Sequence, residues 1–279
     1  MLPKLVEVVI PNSDFELQKS LIPYAVGYLG IGTDSLSHAL VEDFLPTDPW
    51  SDLSQKAVVG LANTGLFNDQ TVFEIGMGDG RLSRLAVAAS NKKGFSVKEI
   101  IGVDVTKPRL ALAHHNLKDL GVPVQLIQGD AIDSLEAWEE LGNEQFSGVA
   151  LICLPQVPRQ EDKDAGADVY DGRPSHNLFV ETWEKYGLTL NAGVLTRLSE
   201  KSTKDAQSLL VLSGRLPKNI REQLISETGW NSKGIVTQGR VKQDLDTPLD
   251  WMRKMLEAIA MHSMHETVYH DVFVYHLGL

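Results

Sequence analysis

Cysteine is almost missing: Cys153 is the single one in 279 residues. A disulfide needs two thiols and a cysteine-built zinc site needs several, so both are excluded and no resident metal is expected. Long apolar runs are missing too. None approaches the roughly 20 residues that cross a bilayer, and the N-terminal run Leu5 to Ile10 is short and interrupted by Glu7. The chain is therefore expected to be soluble and cytoplasmic, with no membrane partner. Basic residues are in deficit, 26 Lys and Arg against 37 Asp and Glu, for a net charge of -11. They occur in ones and twos, as in Lys92-Lys93 and Arg253-Lys254, and no extended cationic footprint results. Nucleic acid is accordingly expected not to be a partner. What is present is ordinary globular material, 43% hydrophobic and 23% charged, enough to bury a full core at this length.

Residues 1–70 carry apolar residues at helical spacing, such as Leu17, Leu21, Tyr24 and Tyr28, then Leu36, Leu40 and Phe44. They are expected to form a helical N-terminal cap whose last helix runs from Leu53 to Leu66. From residue 71 the pattern alternates. Strands are expected at Thr71 to Ile75, Glu99 to Val105, Val124 to Ile127, Gly148 to Cys153, Ser208 to Leu212, Gly234 to Gln238 and His270 to His276. Helices are expected at Arg81 to Ser90, Lys107 to Leu120, Leu178 to Leu190 and Asn219 to Thr228. Near-continuous apolar strands alternating with amphipathic helices predict an α/β fold: a doubly wound, mainly parallel, Rossmann-like sheet covered on both faces over residues 71–279. The polar segment Arg159 to Asp168 reads as a solvated loop or as a lid over the site.

In such a sheet ligands bind at the carboxyl ends of the strands. The turn after the first strand of the alternating region reads Glu74-Ile75-Gly76-Met77-Gly78-Asp79-Gly80. Three alternate glycines let the backbone approach a ligand and turn amides toward it. A dinucleotide fingerprint, G-x-G-x-x-G, would need glycine or alanine where Arg81 stands, which weakens a nicotinamide-cofactor reading. Asp104 ends the next strand and Gly129-Asp130-Ala131 follows the one after. Either aspartate could instead cap the helix beyond it.

The acidic residue followed by G-x-G-x-G resembles motif I of class I S-adenosylmethionine (SAM) dependent methyltransferases. The resemblance implies a seven-stranded sheet with its last strand inserted antiparallel, and SAM as cofactor. By the same resemblance Glu74 faces the methionine end of SAM, Gly76, Gly78 and Gly80 border it, Asp104 takes the ribose hydroxyls, and Asp130 and Ala131 meet the adenine. A carboxylate suits the ammonium and sulfonium of SAM.

The fourth of these strands ends Cys153-Leu154-Pro155-Gln156-Val157-Pro158. Its position resembles the N-P-P-Y motif of HemK-like methyltransferases, with Leu154 in place of the asparagine. Leucine accepts no hydrogen bond, which counts against holding the hydrogens of an amide or adenine nitrogen. The segment C-L-P-Q-V is similar to the corresponding one in the N-terminal methyltransferase region of plant methionine S-methyltransferases. That similarity extends to Pro46 to Trp50, to Ser213 to Pro217 and to the C-terminal His270 to Gly278. Residues Tyr170 to Asn177 lie where HemK-like enzymes carry a D-G-G loop.

Gln156, Asp171 and His176 are thus the catalytic candidates, Asp171 suiting an ammonium and His176 a general base. Leu154, Pro155, Tyr170 and Arg173 are the candidates for lining the substrate, Arg173 suiting a carboxylate. The remaining histidines show no metal-ligand spacing and read as satisfied surface or core residues, and Cys153 reads as a small hydrophobe. The expected activity is methyl transfer from SAM to a sulfur or nitrogen of a small molecule, an amino acid or a metabolite derived from one. A HemK-like methyltransferase acting on a protein glutamine amide and a SAM-binding regulatory module are the alternatives.

Overall fold

A computed structural model describes residues 4–5, 49–105, 107–132, 145–154, 156, 183, 186–214, 216–244 and 267–279. Its elements, in chain order, are β1 (Lys4–Leu5), α1 (Pro49–Ala62), β2 (Thr71–Ile75), α2 (Arg81–Lys92), β3 (Glu99–Asp104), α3 (Lys107–Leu117), β4 (Val124–Gln128), β5 (Gly148–Ile152), α4 (Thr189–Lys201), β6 (Gln207–Ser213), α5 (Lys218–Glu227), β7 (Asn231–Asp244) and β8 (Thr267–Gly278). They build one sheet in the order β1-β4-β3-β2-β5-β6-β8-β7. Strands β4, β3, β2, β5 and β6 are mutually parallel. β8 enters antiparallel between β6 and β7, as the sequence led us to expect. Beyond the expected seven strands, the two-residue β1 pairs antiparallel with the outer edge of β4.

Alternation along the strands sorts the core into two layers. Phe73, Ile75, Ile101, Val103, Ile152, Leu210 and Leu212 face one side, where Leu190, Val194, Leu195 and Leu198 of α4 and Ile220 and Leu224 of α5 cover them. Val72, Ile100, Leu126, Val149, Leu151 and Val211 face the other, under Leu53 and Ala57 of α1, Leu85 and Ala86 of α2, and Leu110 and Ala113 of α3. Helix α1 therefore belongs to the packing of the sheet: a Cβ on Gly239 of β7 would stand 2.8 Å from the Leu53 side chain. Residues 63–70 lead from α1 into β2 through turns, and the rest of the expected N-terminal cap, apart from β1, lies outside the described residues.

The expected helix Leu178 to Leu190 lies largely outside the described residues, Trp183 within it being helical. Helix α4, Thr189–Lys201, follows it and was not expected; Leu190, Val194, Leu195 and Leu198 carry its 3.6-residue period. Strand β7 is also longer than expected, Asn231–Asp244. Its first residues are polar and exposed, as an edge strand allows.

Register fixes where the chemistry can sit. Ile75 of β2 lies beside Val103 of β3 and Ile152 of β5, and Asp104 beside Gln128 of β4. Four carboxyl ends are thus in line, and the turns that follow them share one edge of the sheet.

Candidate functional site

The site is built outward from the glycine turn. Gly76, Gly78 and Gly80 have φ of 71°, 57° and 73°, the left-handed region that side chains with a Cβ adopt only at a cost. The turn folds back on β3: the Gly76 and Met77 N–H groups both donate to the Val103 carbonyl at 2.9 Å. The Met77 side chain lies over Gly102 of β3, in space that a Cβ there would fill. Helix α2 then starts at Arg81 with Gly80 as N-cap and no side chain of the cap residue to bond its first amides.

That missing cap comes from Glu74. The alternation that turns Phe73 and Ile75 toward α4 turns Val72 and Glu74 toward α2. Glu74 is 4% exposed, and its Oε2 accepts from the Ser83 N–H at 2.9 Å and the Ser83 hydroxyl at 2.5 Å. Burial pushes its carboxyl up to about 8, with the two Ser83 bonds acting in the opposite direction. The side chain holds the turn from behind, bonded to the helix.

Asp104, 5% exposed, accepts the Gly78 N–H on Oδ2 at 2.9 Å, so it shapes the middle of the turn and ends β3 beside it. Asp130 accepts the Ile132 N–H on Oδ1 at 2.9 Å, a local Asx turn that places Ala131, buried, directly after β4. Gly76, Gly78, Gly80, Asp130 and Ala131 are therefore on adjoining turns of one sheet edge, Asp104 ends β3 beside them, and Glu74 lies within β2 behind the glycine turn.

Sequence reasoning passed over three supports of the turn. Asp79 is buried and paired with the Arg81 guanidinium at 2.9 Å. Burial raises its carboxyl above the ordinary range while Arg81 opposes that rise. The Asn116 amide of α3 donates to the Asp79 carbonyl at 2.8 Å, and the Arg84 guanidinium donates to the Asn116 carbonyl. The polar residues Asp79, Arg84 and Asn116 inside otherwise apolar, closely packed segments were the signal.

On the β5 side, Leu154 is buried and meets the turn itself: a Cβ on Gly76 would stand 2.7 Å from its Cδ2. Gln156, 7% exposed, spends its whole carboxamide on β6. Nε2 donates to the Val211 carbonyl at 2.6 Å, and Oε1 accepts the Ser213 N–H at 2.9 Å. The catalytic candidate is thus a strap between the ends of β5 and β6, because both of its amide atoms meet strand backbone. Cys153 accepts a long contact from the Ser54 hydroxyl at 3.7 Å. Pro155, Tyr170, Asp171, Arg173 and His176 lie outside the described residues.

Of the histidines, His276 bonds Gln207 at 2.8 Å and is held below its ordinary value by burial and, less, by Lys233. His114 departs from the satisfied pattern expected of it, its Nδ1 being buried without a partner among the described residues. Among the described residues no helix is long and apolar enough to cross a membrane.

No family model matches the chain, and no curated protein matches it. Solved structures of similar shape do exist. One is an inferred RNA methyltransferase from Pyrococcus horikoshii, with 14% identity, 93% of this chain and 94% of that one covered, and a TM-score of 0.49. Another is the precorrin-6y C5,15-methyltransferase of Geobacter metallireducens, with 13% identity, 90% and 98% covered, and a TM-score of 0.46. A third is the ribosomal protein L11 methylase of Lactobacillus delbrueckii subsp. bulgaricus, with 12% identity, 81% and 77% covered, and a TM-score of 0.42. The activity named for each is that protein's own.

These likenesses correct one expectation. A small-molecule substrate with nucleic acid excluded does not stand, since the similar structures include an RNA methyltransferase and a ribosomal-protein methylase. The exclusion rested on a net charge of -11, and a sum over the whole surface does not fix the field at one site.

Proposed function

We propose that the protein transfers methyl groups from SAM bound across the carboxyl ends of β2, β3 and β4. The observation that carries this reading is the meeting, at one sheet edge, of three left-handed glycines after β2, the buried Asp104 closing β3, and Asp130-Ala131 directly after β4. These residues fit the cofactor. A carboxylate at the end of β3 can accept from vicinal ribose hydroxyls, and glycine backbone admits a close approach. A small apolar residue beside an aspartate suits a ring bearing an exocyclic amine. Bound there, SAM supplies a methyl group made electrophilic by its sulfonium.

The chain's own part is alignment, which in-line displacement needs more than acid or base. Glu74 acts at one remove, through its bonds to Ser83, by fixing α2 against the turn. Leu154 puts an apolar wall against Gly76 at the end of the site where an acceptor must approach. Gln156 positions that wall by strapping β5 to β6. Pro155, Tyr170 and Arg173 complete the acceptor side in this reading, and Asp171 or His176 removes a proton where the acceptor carries one. The likeness of Cys153 to Val157 to the HemK-like branch, and within it to plant methionine S-methyltransferases, belongs to the same proposal, with sulfur or nitrogen as the accepting atom.

Calorimetry with S-adenosylhomocysteine tests the cofactor half, and absence of binding ends the reading. The acceptor half is tested with methyl-labelled SAM and an extract of cells lacking the protein, separating label in RNA, in protein and in the remainder. Cofactor binding without transfer into any fraction would leave a binding module in place of an enzyme.

A further inference from the structure

Helix α4 begins at the same sheet edge as the site. Its carboxyl end lies at the opposite edge, where Ser202 bridges Phe146 just before β5. Near its start, a Cβ on Gly193 would stand 2.6 Å from the side chain of Ile132, the residue after Asp130-Ala131. Asn191 is the third residue of this helix, 0% exposed, and among the described residues neither its Oδ1 nor its Nδ2 has a partner.

At 100° per residue Asn191 shares a face with Leu195 and Leu198, both fully buried in the core that holds Ile152 and Leu154. It stands one turn nearer the carboxyl edge than Leu195. No side chain of the helix's own takes up its first amides: Leu188 at the N-cap gives no side-chain cap, and the first turn carries no acidic residue. The first amides of a helix have no partner within it. A buried carboxamide with both halves unmatched is costly to keep, and an apolar residue of the same size would cost nothing.

We infer that Asn191 and the first turn of α4 hold the methyl acceptor, and that the acceptor presents a planar N–H/C=O edge, a carboxamide or a lactam-type ring. The carboxamide Oδ1 accepts the N–H, while Nδ2 and the helix amides donate to the carbonyl oxygen. Asn191 thereby supplies from α4 the amide that Leu154 cannot supply from β5. This rests on the methyltransferase reading and narrows it to planar nitrogen in place of thioether sulfur.

The test uses the full chain and the variant N191L. Losing an unmatched buried amide should raise the melting temperature by about 2–6 °C, leave S-adenosylhomocysteine affinity within about twofold, and cut methyl incorporation into the extract at least tenfold. A lowered melting temperature would show that the amide is bonded within the fold, and unchanged incorporation would show that it does not meet the acceptor; either overturns the inference. Should N191L fail to fold, N191A must show the same tenfold loss with cofactor affinity kept.

In a nitrogen-15 spectrum, the side-chain amide signals missing from the variant should shift on titration with acetamide or uracil and stay still with dimethyl sulfide. A response to uracil alone marks a lactam-type ring and a response to acetamide alone a carboxamide. A response to neither, up to their solubility, overturns the inference. Wild-type protein that binds no S-adenosylhomocysteine would instead refute the methyltransferase reading itself.

Discussion

Replacing Glu74 with Gln should make the protein more stable, and increasingly so as the pH rises. Its carboxyl ionises near 4.5 when free and at about 8 in the folded chain, where burial dominates. Between those values the folded chain keeps a proton that the unfolded chain releases. The stability associated with this group is therefore complete below pH 4.5, is lost as the pH climbs through the window, and stops falling above 8. At about 1.4 kcal/mol per pH unit, the loss at neutral pH is on the order of 3 kcal/mol. Gln cannot ionise, and its carbonyl oxygen can still accept from the Ser83 N–H and hydroxyl. E74Q should match the wild type within about 1 kcal/mol near pH 4.5 and exceed it by on the order of 3 kcal/mol at neutral pH. Urea denaturation followed by the fluorescence of the buried Trp183 and Trp230 at a series of pH values reads this directly. Every other titrating group is common to both proteins and cancels in the difference. A stability difference that stays constant across the series would mean that Glu74 ionises as freely folded as unfolded, and the assignment of a neutral buried carboxyl would be refuted.

D104N should lower S-adenosylhomocysteine affinity by about 10- to 100-fold, the loss of one or two charge-assisted bonds, while an amide oxygen still receives the Gly78 N–H; calorimetry showing unchanged affinity would remove Asp104 from the ribose. G76A combines a left-handed backbone with a Cβ 2.7 Å from Leu154 and should cost about 2–4 kcal/mol. Adding L154A should recover part of that cost and leave the backbone strain, so strict additivity in denaturant melts would show that the two residues do not meet. Q156L orphans the Val211 carbonyl and the Ser213 N–H and should cost about 1–3 kcal/mol. Its methyl-transfer rate should fall while S-adenosylhomocysteine affinity holds, because the strap sits on the acceptor side; equal loss of both would make Gln156 a general support of the fold.

The sheet was legible because its central strands are buried on both faces, so each reads as an unbroken apolar run closed by a turn residue. The cofactor edge was legible for a related reason: alternate glycines have few other uses directly after a strand. Orientation was harder. Glu74 was read as facing a ligand, yet period-two alternation with Phe73 and Ile75 already put it on the α2 side, where Ser83 receives it. Gln156 was read by its place at a strand end, although its bonding is decided by Val211 and Ser213, more than fifty residues away. Asn191 gave no signal at all. A polar residue inside an amphipathic helix is ordinarily taken for the solvated face, and the sequence reading placed no helix over Thr189–Lys201. Such long-range pairings are what a one-dimensional pattern does not carry.

The failed exclusion of nucleic acid follows from the same difference between a sum and a site. Counting carboxylates gives an acidic surface, but the acidic residues nearest the turn do not all contribute negative charge there. Glu74, at about 8, is mostly protonated at neutral pH. Asp79 is paired with Arg81 at 2.9 Å, and its own carboxyl is raised by burial. Asp104 has one oxygen committed to the Gly78 amide, and Asp130 has one committed to Ile132. The net charge of the chain therefore does not by itself give the field at the turn.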